Sequence, residues 1–162
     1  MSDYDVILVC MGNICRSPMA EIVLRQQLAE AGLARRVTVS SAGTGNWHVG
    51  QPADPRAQLA LSSGGYPTKH AARQFDPTWF STASLIVALD SENLRDLRHL
   101  APSPAVAQSV RLLRSFDAQA VGVDVADPYY GDASAFDQTL ESIEQACLGI
   151  VAHIKSDLER RN

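Results

Sequence analysis

The chain reads as an α/β protein built on a parallel sheet. Three observations carry that expectation. Short, nearly continuous apolar runs at Val6–Cys10 and Leu85–Leu89 suit strands buried on both faces. Segments of helical periodicity alternate with them. The C-terminal segment carries one long apolar stripe, Phe136, Leu140, Ile143, Cys147, Ile150, Ile154 and Leu158. Strands alternating with helices imply right-handed crossovers and helices on both faces of the sheet. At 162 residues the chain is a single domain, 1–162, long enough for a real core.

Each element has its own signal. Val6–Cys10 is the first strand. Ala20, Val23, Leu24, Leu28 and Ala31 then recur at helical spacing, and Gly32 ends the pattern. Ser17 is placed to cap that helix, with Pro18 in its first turn. Val37–Ser41 is the second strand. Asp54-Pro55 opens a helix that Gly64-Gly65 stops. Asp76-Pro77 repeats the opening signal before Trp79 and Phe80. Leu85–Leu89 is the third strand, followed by a short helix opened by Ser91. Val110–Leu113 is the fourth strand. Ala101-Pro102-Ser103-Pro104 reads as a surface connection.

Composition narrows the function classes. Hydrophobic residues make up 46%, and the formal charge is −4, which argues against a general affinity for nucleic acid. No apolar run reaches membrane-spanning length, and Met-Ser-Asp-Tyr-Asp lacks the basic start of a signal peptide. Three cysteines, an odd number, do not make a disulfide framework, so a reducing, cytoplasmic setting is expected. No metal site is expected, since C-x-x-C and Cys/His clusters are missing from the sequence.

The chemistry concentrates in Val6 to Glu21. A strand ends on Cys10, and Arg16, Ser17 and Pro18 follow where a helix begins. C-x5-R-S on such a loop sets a thiol beneath backbone N–H groups with a guanidinium beside it. A helix N-terminus and an arginine both favour the anionic, nucleophilic thiolate. Consecutive N–H groups opening onto a helix bind tetrahedral oxyanions. Arg16 adds a planar fork that holds two phosphate oxygens at once. Gly12 and Asn13 tolerate the backbone angles a tight loop needs. The site suits a phosphate monoester attacked by sulfur.

Several residues stay open on this evidence. Residues alone favour an ordinary turn at Asp127-Pro128, although Asp127 beside Tyr129 and Tyr130 would also serve as a proton donor to a leaving group. Asp124 and Asp132 are nearby alternatives, but neither precedes a proline. Trp47 lies in the Gly-rich stretch Gly43 to Gly50, either on a cleft rim with His48 or packed beneath the loop. His70 reads equally as a solvated histidine or a supporting one. Asp90, at a strand end, reads as a helix cap. Cys15 reads as a small side chain filling space under the loop, and Cys147 as inert core.

The loop resembles that of the low-molecular-weight protein tyrosine phosphatases, notably their actinobacterial members. The family pattern V-C-x-G-N-[IT]-C-R-S-P-M-A-E runs from Val9 to Glu21, and further matches are Ser40-Ser41-Ala42-Gly43-Thr44, Asp90-Ser91-Glu92-Asn93-Leu94 and Asp127-Pro128-Tyr129-Tyr130-Gly131. The resemblance covers essentially the whole chain. It implies a four-stranded parallel sheet in the order 2-1-3-4 and hydrolysis of phosphotyrosine monoesters in proteins. It implies Cys10 as nucleophile, Arg16 as phosphate ligand and Asp127 as general acid and base. Met11, Gly12, Asn13, Ile14, Cys15, Ser17, Trp47, Tyr129 and Tyr130 would contact substrate. Asn13, Ser17, Ser41 and His70 would form a supporting hydrogen-bonded network. A disulfide between Cys10 and Cys15 under peroxide is a further implication. No cofactor is implied, because Arg16 and the loop supply the positive potential. A monomer or weak dimer, without nucleic-acid or membrane partners, is expected.

Two relatives of the same scaffold are alternatives. Protein arginine phosphatases carry a threonine where this chain has Ile14. Arsenate reductases need two further cysteines after the third strand, and no cysteine lies between Cys15 and Cys147. A non-catalytic phosphate-binding module would not need Cys10, Arg16 and Asp127 together.

Overall fold

A computed structural model of the chain describes residues 3–161. Four strands, β1 (Tyr4–Cys10), β2 (Val37–Gly43), β3 (Leu85–Ala88) and β4 (Arg111–Leu112), form one sheet in the order β2-β1-β3-β4. Every pairing is parallel. The fold class and strand order are those expected.

The layers follow from the two-residue period of β1. Val6, Leu8 and Cys10 point into one core, shared with α1 (Arg16–Glu30), α2 (Pro55–Ser63) and α5 (Ala133–Arg160). Ile7 and Val9 point into a second core with Phe75, Ile86, Leu97 and Val110. That second face is covered by α3 (Ser91–Leu100), with α4 (Pro104–Ser109) beside it. All seven residues of the C-terminal stripe are buried. Each fully buried Leu or Ile of the stripe contributes about 1.5–3 kcal/mol relative to an exposed one. Among the described residues, no helix is long and apolar enough to cross a membrane.

Helix ends show why the boundaries fall where they do. The Asp54 side chain accepts from Arg56 N–H at the start of α2, with Pro55 at the first helical position. Gly32, at φ +77°, ends α1 as expected of a residue free to adopt left-handed angles. Three expectations are corrected. α1 begins at Arg16 with Cys15 at its N-cap position, so Ser17 lies inside the first turn and its hydroxyl is free for another partner. α3 opens at Ser91 as expected, and its cap is Asp90, which accepts from Asn93 N–H. The proline-rich connection at 101–104 runs into a helix that was not expected, α4, capped by Ser103 with Pro104 at its first position. β4 is also shorter than Val110–Leu113, because Val110 closes α4 and Leu113 opens a 3-10 turn.

The sheet brings the functional segments together at its carboxyl edge, where ligands bind in such folds. Cys10 at the end of β1 pairs with Gly43 at the end of β2. A Cβ on Gly43 would come within 2.6 Å of Met11 O, so only glycine allows this close approach of the second strand to the loop.

Candidate active site

The loop from Cys10 to Cys15 turns tightly between β1 and α1. Asn13 sits at φ +58°, a left-handed conformation that asparagine bears better than most residues. The turn folds Asn13 N–H back onto Cys10 Sγ, at 3.3 Å. The Ser17 hydroxyl lies 2.9 Å from the same sulfur. This is the partner that leaves Ser17 out of a capping role.

The hydrogen bonds beneath the loop run in one direction. Arg73 N–H donates to Asn13 Oδ1 at 2.9 Å, which fixes the amide orientation. Asn13 Nδ2 then donates to Ser17 Oγ at 2.8 Å and to Ser41 Oγ at 2.9 Å. Ser41 donates to the Glu21 carboxylate at 2.6 Å, because a carboxylate can only accept. Ser17 oxygen already accepts from Asn13, so its own hydrogen is available to Cys10 sulfur. His70 Nε2–H donates to Asn13 O at 2.7 Å, holding the backbone rather than the side-chain chain of donors. Asn13, Ser17 and Ser41 are buried.

Arg16 is 2% exposed, a burial that requires partners. Its Nη1 donates to Asp90 Oδ2 at 2.6 Å and to Val125 O at 2.9 Å. Asp90 is therefore both helix cap and clamp. Nη2 lies 3.6 Å from Asp127 Oδ2. Burial works against the charged guanidinium, but Cys10, the Asp90 hydrogen bond and Asp127 outweigh it and hold Arg16 above its ordinary pKa. Its Nε–H and Nη2–H remain to meet an oxyanion.

A cavity of about 370 Å³ opens above these groups. It is lined by Cys10, Met11, Gly12, Ile14, Cys15, Arg16, Trp47, His48, Asp127, Tyr129 and Tyr130. Asn13 and Ser17 are not on its wall. They were expected to contact substrate, but the inward turn of the loop buries both side chains beneath it. Trp47 is 66% exposed and lies across Gly45, on the rim rather than under the loop. Tyr129 and Tyr130, which also line the cavity, meet edge to face at 5.0 Å.

The three aspartates separate by their surroundings. Asp124 accepts from Ser91 N–H and Oγ, at 2.8 and 2.6 Å. Asp132 caps α5 through Ala135 N–H. Asp127 lines the cavity, with Oδ1 accepting from Tyr129 N–H at 3.1 Å and Oδ2 facing Arg16.

Cys15 is held in its protonated form by its surroundings. Burial, and then the nearby charges of Asp54, Cys10 and Asp127, push its thiol up to about 12. It is a neutral thiol at pH 7 and a poor nucleophile. Stoichiometric iodoacetamide at neutral pH is therefore expected to label Cys10 and leave Cys15, as read by peptide mass mapping. Labelling of Cys15 first would reverse their order of reactivity.

Sequence reasoning missed Glu21 and Arg73 as members of the network. Glu21 lies one helical turn after Ser17 and inside the matched loop motif, which is a usable signal. Nothing local marks Arg73.

The family model described as low molecular weight phosphotyrosine protein phosphatase matches residues 5–160. A low molecular weight protein-tyrosine-phosphatase of Streptomyces coelicolor is 51% identical over 160 residues, covering 98% of each chain. Low molecular weight protein-tyrosine phosphatase A of Mycobacterium tuberculosis is 49% identical over 163 residues, covering 99% of this chain and 98% of its own. Among solved structures, a protein tyrosine phosphatase from Entamoeba histolytica aligns with a TM-score of 0.91 at 30% identity, over 95% of this chain and 98% of that one.

Proposed function

Because this chain belongs to the low molecular weight phosphotyrosine protein phosphatase family, we propose that it hydrolyses phosphotyrosine in proteins through a phosphocysteine on Cys10. One observation carries the assignment of roles. Cys10 sulfur lies within hydrogen-bond reach of Asn13 N–H and Ser17 hydroxyl, on a cavity that Arg16 and Asp127 also line.

The reaction runs in two steps. Cys10 sulfur attacks phosphorus, the S–P bond forms, and the P–O bond to the phenol breaks. Asp127 gives its proton to the departing oxygen. The loop N–H groups and the free edge of Arg16 hold the equatorial oxygens, where charge builds in the transition state. Water then attacks phosphorus while Asp127, now a carboxylate, takes its proton. The S–P bond breaks, and Ser17 hydrogen stabilises the thiolate that leaves. Asp90 and Val125 O keep Arg16 in place throughout.

The aromatic walls supply selectivity. Trp47 and Tyr129 flank a cavity whose nucleophile is at the floor, 3% exposed. A phenyl ring spans that depth and packs on the walls, whereas a phosphoserine side chain is too short to bring its phosphorus to sulfur. Three free thiols, Cys10, Cys15 and Cys147, suit a reducing compartment such as the cytoplasm.

The test is phosphate release from phosphotyrosine, phosphoserine and phosphoarginine peptides compared under a reductant. Phosphotyrosine is expected to be preferred. Ile14 lines the cavity, and Ile14→Thr is expected to move the phosphoarginine-to-phosphotyrosine ratio upward by about tenfold. A parent enzyme that prefers phosphoarginine would keep the mechanism and overturn the specificity. An unchanged ratio in the variant would remove Ile14 as a determinant.

A further inference from the structure

The acid is assigned to a loop, and what holds that loop is a separate question. From Asp127 to Gly131 the internal hydrogen bonds are Tyr129 N–H to Asp127 Oδ1 and Gly131 N–H to Pro128 O. Among the described residues, the hydrogen bond that ties this segment's backbone to another element is Arg56 Nη1–H to Gly131 O, at 3.0 Å. The Arg56 guanidinium also lies over the Tyr129 ring at 5.5 Å and over the buried Phe136 ring at 4.6 Å.

Arg56 is itself held rigidly. Its Nε and Nη2 donate to the two oxygens of Asp54, at 3.0 and 2.9 Å, as a planar fork that lysine cannot reproduce. Asp54 is fixed from the other side, where its N–H donates to Ile14 O at 2.8 Å. Ile14 belongs to the loop around the thiol. A continuous path therefore runs from that loop through Asp54 and Arg56 to the segment bearing Asp127 and Tyr129.

We propose that Arg56 is a positioning residue, which registers the Asp127 carboxyl against Cys10 by bridging Asp54 to Gly131. The inference rests on the assignment of Asp127 as general acid. It acts on one step above all. Breaking the P–O bond to a poor leaving group needs the proton in place, while a good leaving group departs with little help. Displacing the acid by a fraction of its reach should thus be felt selectively.

The experiment compares kcat/KM for phosphotyrosine with that for a nitro-substituted phenyl phosphate, in the parent, Arg56→Met, Arg56→Lys, Asp127→Asn and the Arg56→Met/Asp127→Asn double variant. Arg56→Met is expected to lower kcat/KM for phosphotyrosine about tenfold and for the nitrophenyl ester about twofold or less. Arg56→Lys should show the same pattern at smaller size. It keeps the charge and stem, and carries the test if the methionine variant does not fold. Inhibition by inorganic phosphate should stay within about twofold of the parent, because the phosphate loop is untouched. Within the Asp127→Asn background, the further loss should vanish.

Equal losses on both esters, or a loss that persists without the acid, would overturn the positioning role. The two assignments fail distinguishably. An Asp127→Asn enzyme with equal losses across leaving groups removes the acid, and this inference with it. A leaving-group-dependent Asp127→Asn enzyme beside a flat Arg56 variant removes this inference alone.

Discussion

Cys10→Ser is expected to release phosphate from phosphotyrosine at no more than about 10⁻⁴ of the parent rate. Serine preserves the size of the side chain, and the groups around it do not depend on sulfur. Asn13 N–H, the Ser17 hydroxyl and the Arg16 clamp by Asp90 and Val125 O all stay. What disappears is the sulfur that attacks phosphorus. Binding should survive, seen as a rise in Tm with inorganic phosphate that matches the parent's. A variant that turned over at a tenth of the parent rate would take the nucleophile's role away from Cys10.

Asp127→Asn should produce the second-largest loss, about 10²–10³-fold in kcat/KM for phosphotyrosine. The amide oxygen can still accept from Tyr129 N–H, so the loop turn persists. Its nitrogen cannot deliver a proton to a phenolate. For a nitro-substituted phenol the loss should shrink below about tenfold, since that leaving group needs little protonation. Stability should hardly change. The contact with Arg16 is 3.6 Å long and the Asp127 side chain is 48% exposed, so the pair is worth less than about 1 kcal/mol. Equal losses on both esters would leave Asp127 as a turn former.

The parts of this molecule that could be read from its sequence are those whose cause is local. Gly12, Asn13 and Arg16 lie within one turn of Cys10, so the loop announces itself in one stretch. The α5 stripe is one face of one helix. Asp54-Pro55 caps a helix whose partner is two residues away. The errors arise where a tertiary partner outbids a local one. Ser17 has the chemistry of a cap, yet its hydroxyl goes to Cys10 sulfur because the helix starts two residues sooner. Asp90 satisfies its local expectation with one oxygen and clamps Arg16 with the other. Arg73 acts on Asn13 across a crossover that no local pattern encodes, while Glu21, inside the loop motif, accepts from Ser41 on β2. The path through Arg56 to Gly131 links residues 75 apart and is visible only in the fold.

The strand order has a consequence for the newly made chain. β1 carries the thiol and precedes the other strands and the helices, with its loop complete by Ser17. The carboxylate that clamps the arginine emerges with Asp90, and the proton donor only with Asp127. A ribosome-bound chain of intermediate length thus holds a nucleophile with neither its clamp nor its acid. The constellation is complete only once Asp127 has emerged, and α5 then packs on α1. A chain stopped before Asp127 is therefore expected to lack the acid, and one stopped before α5 the helix that packs on α1.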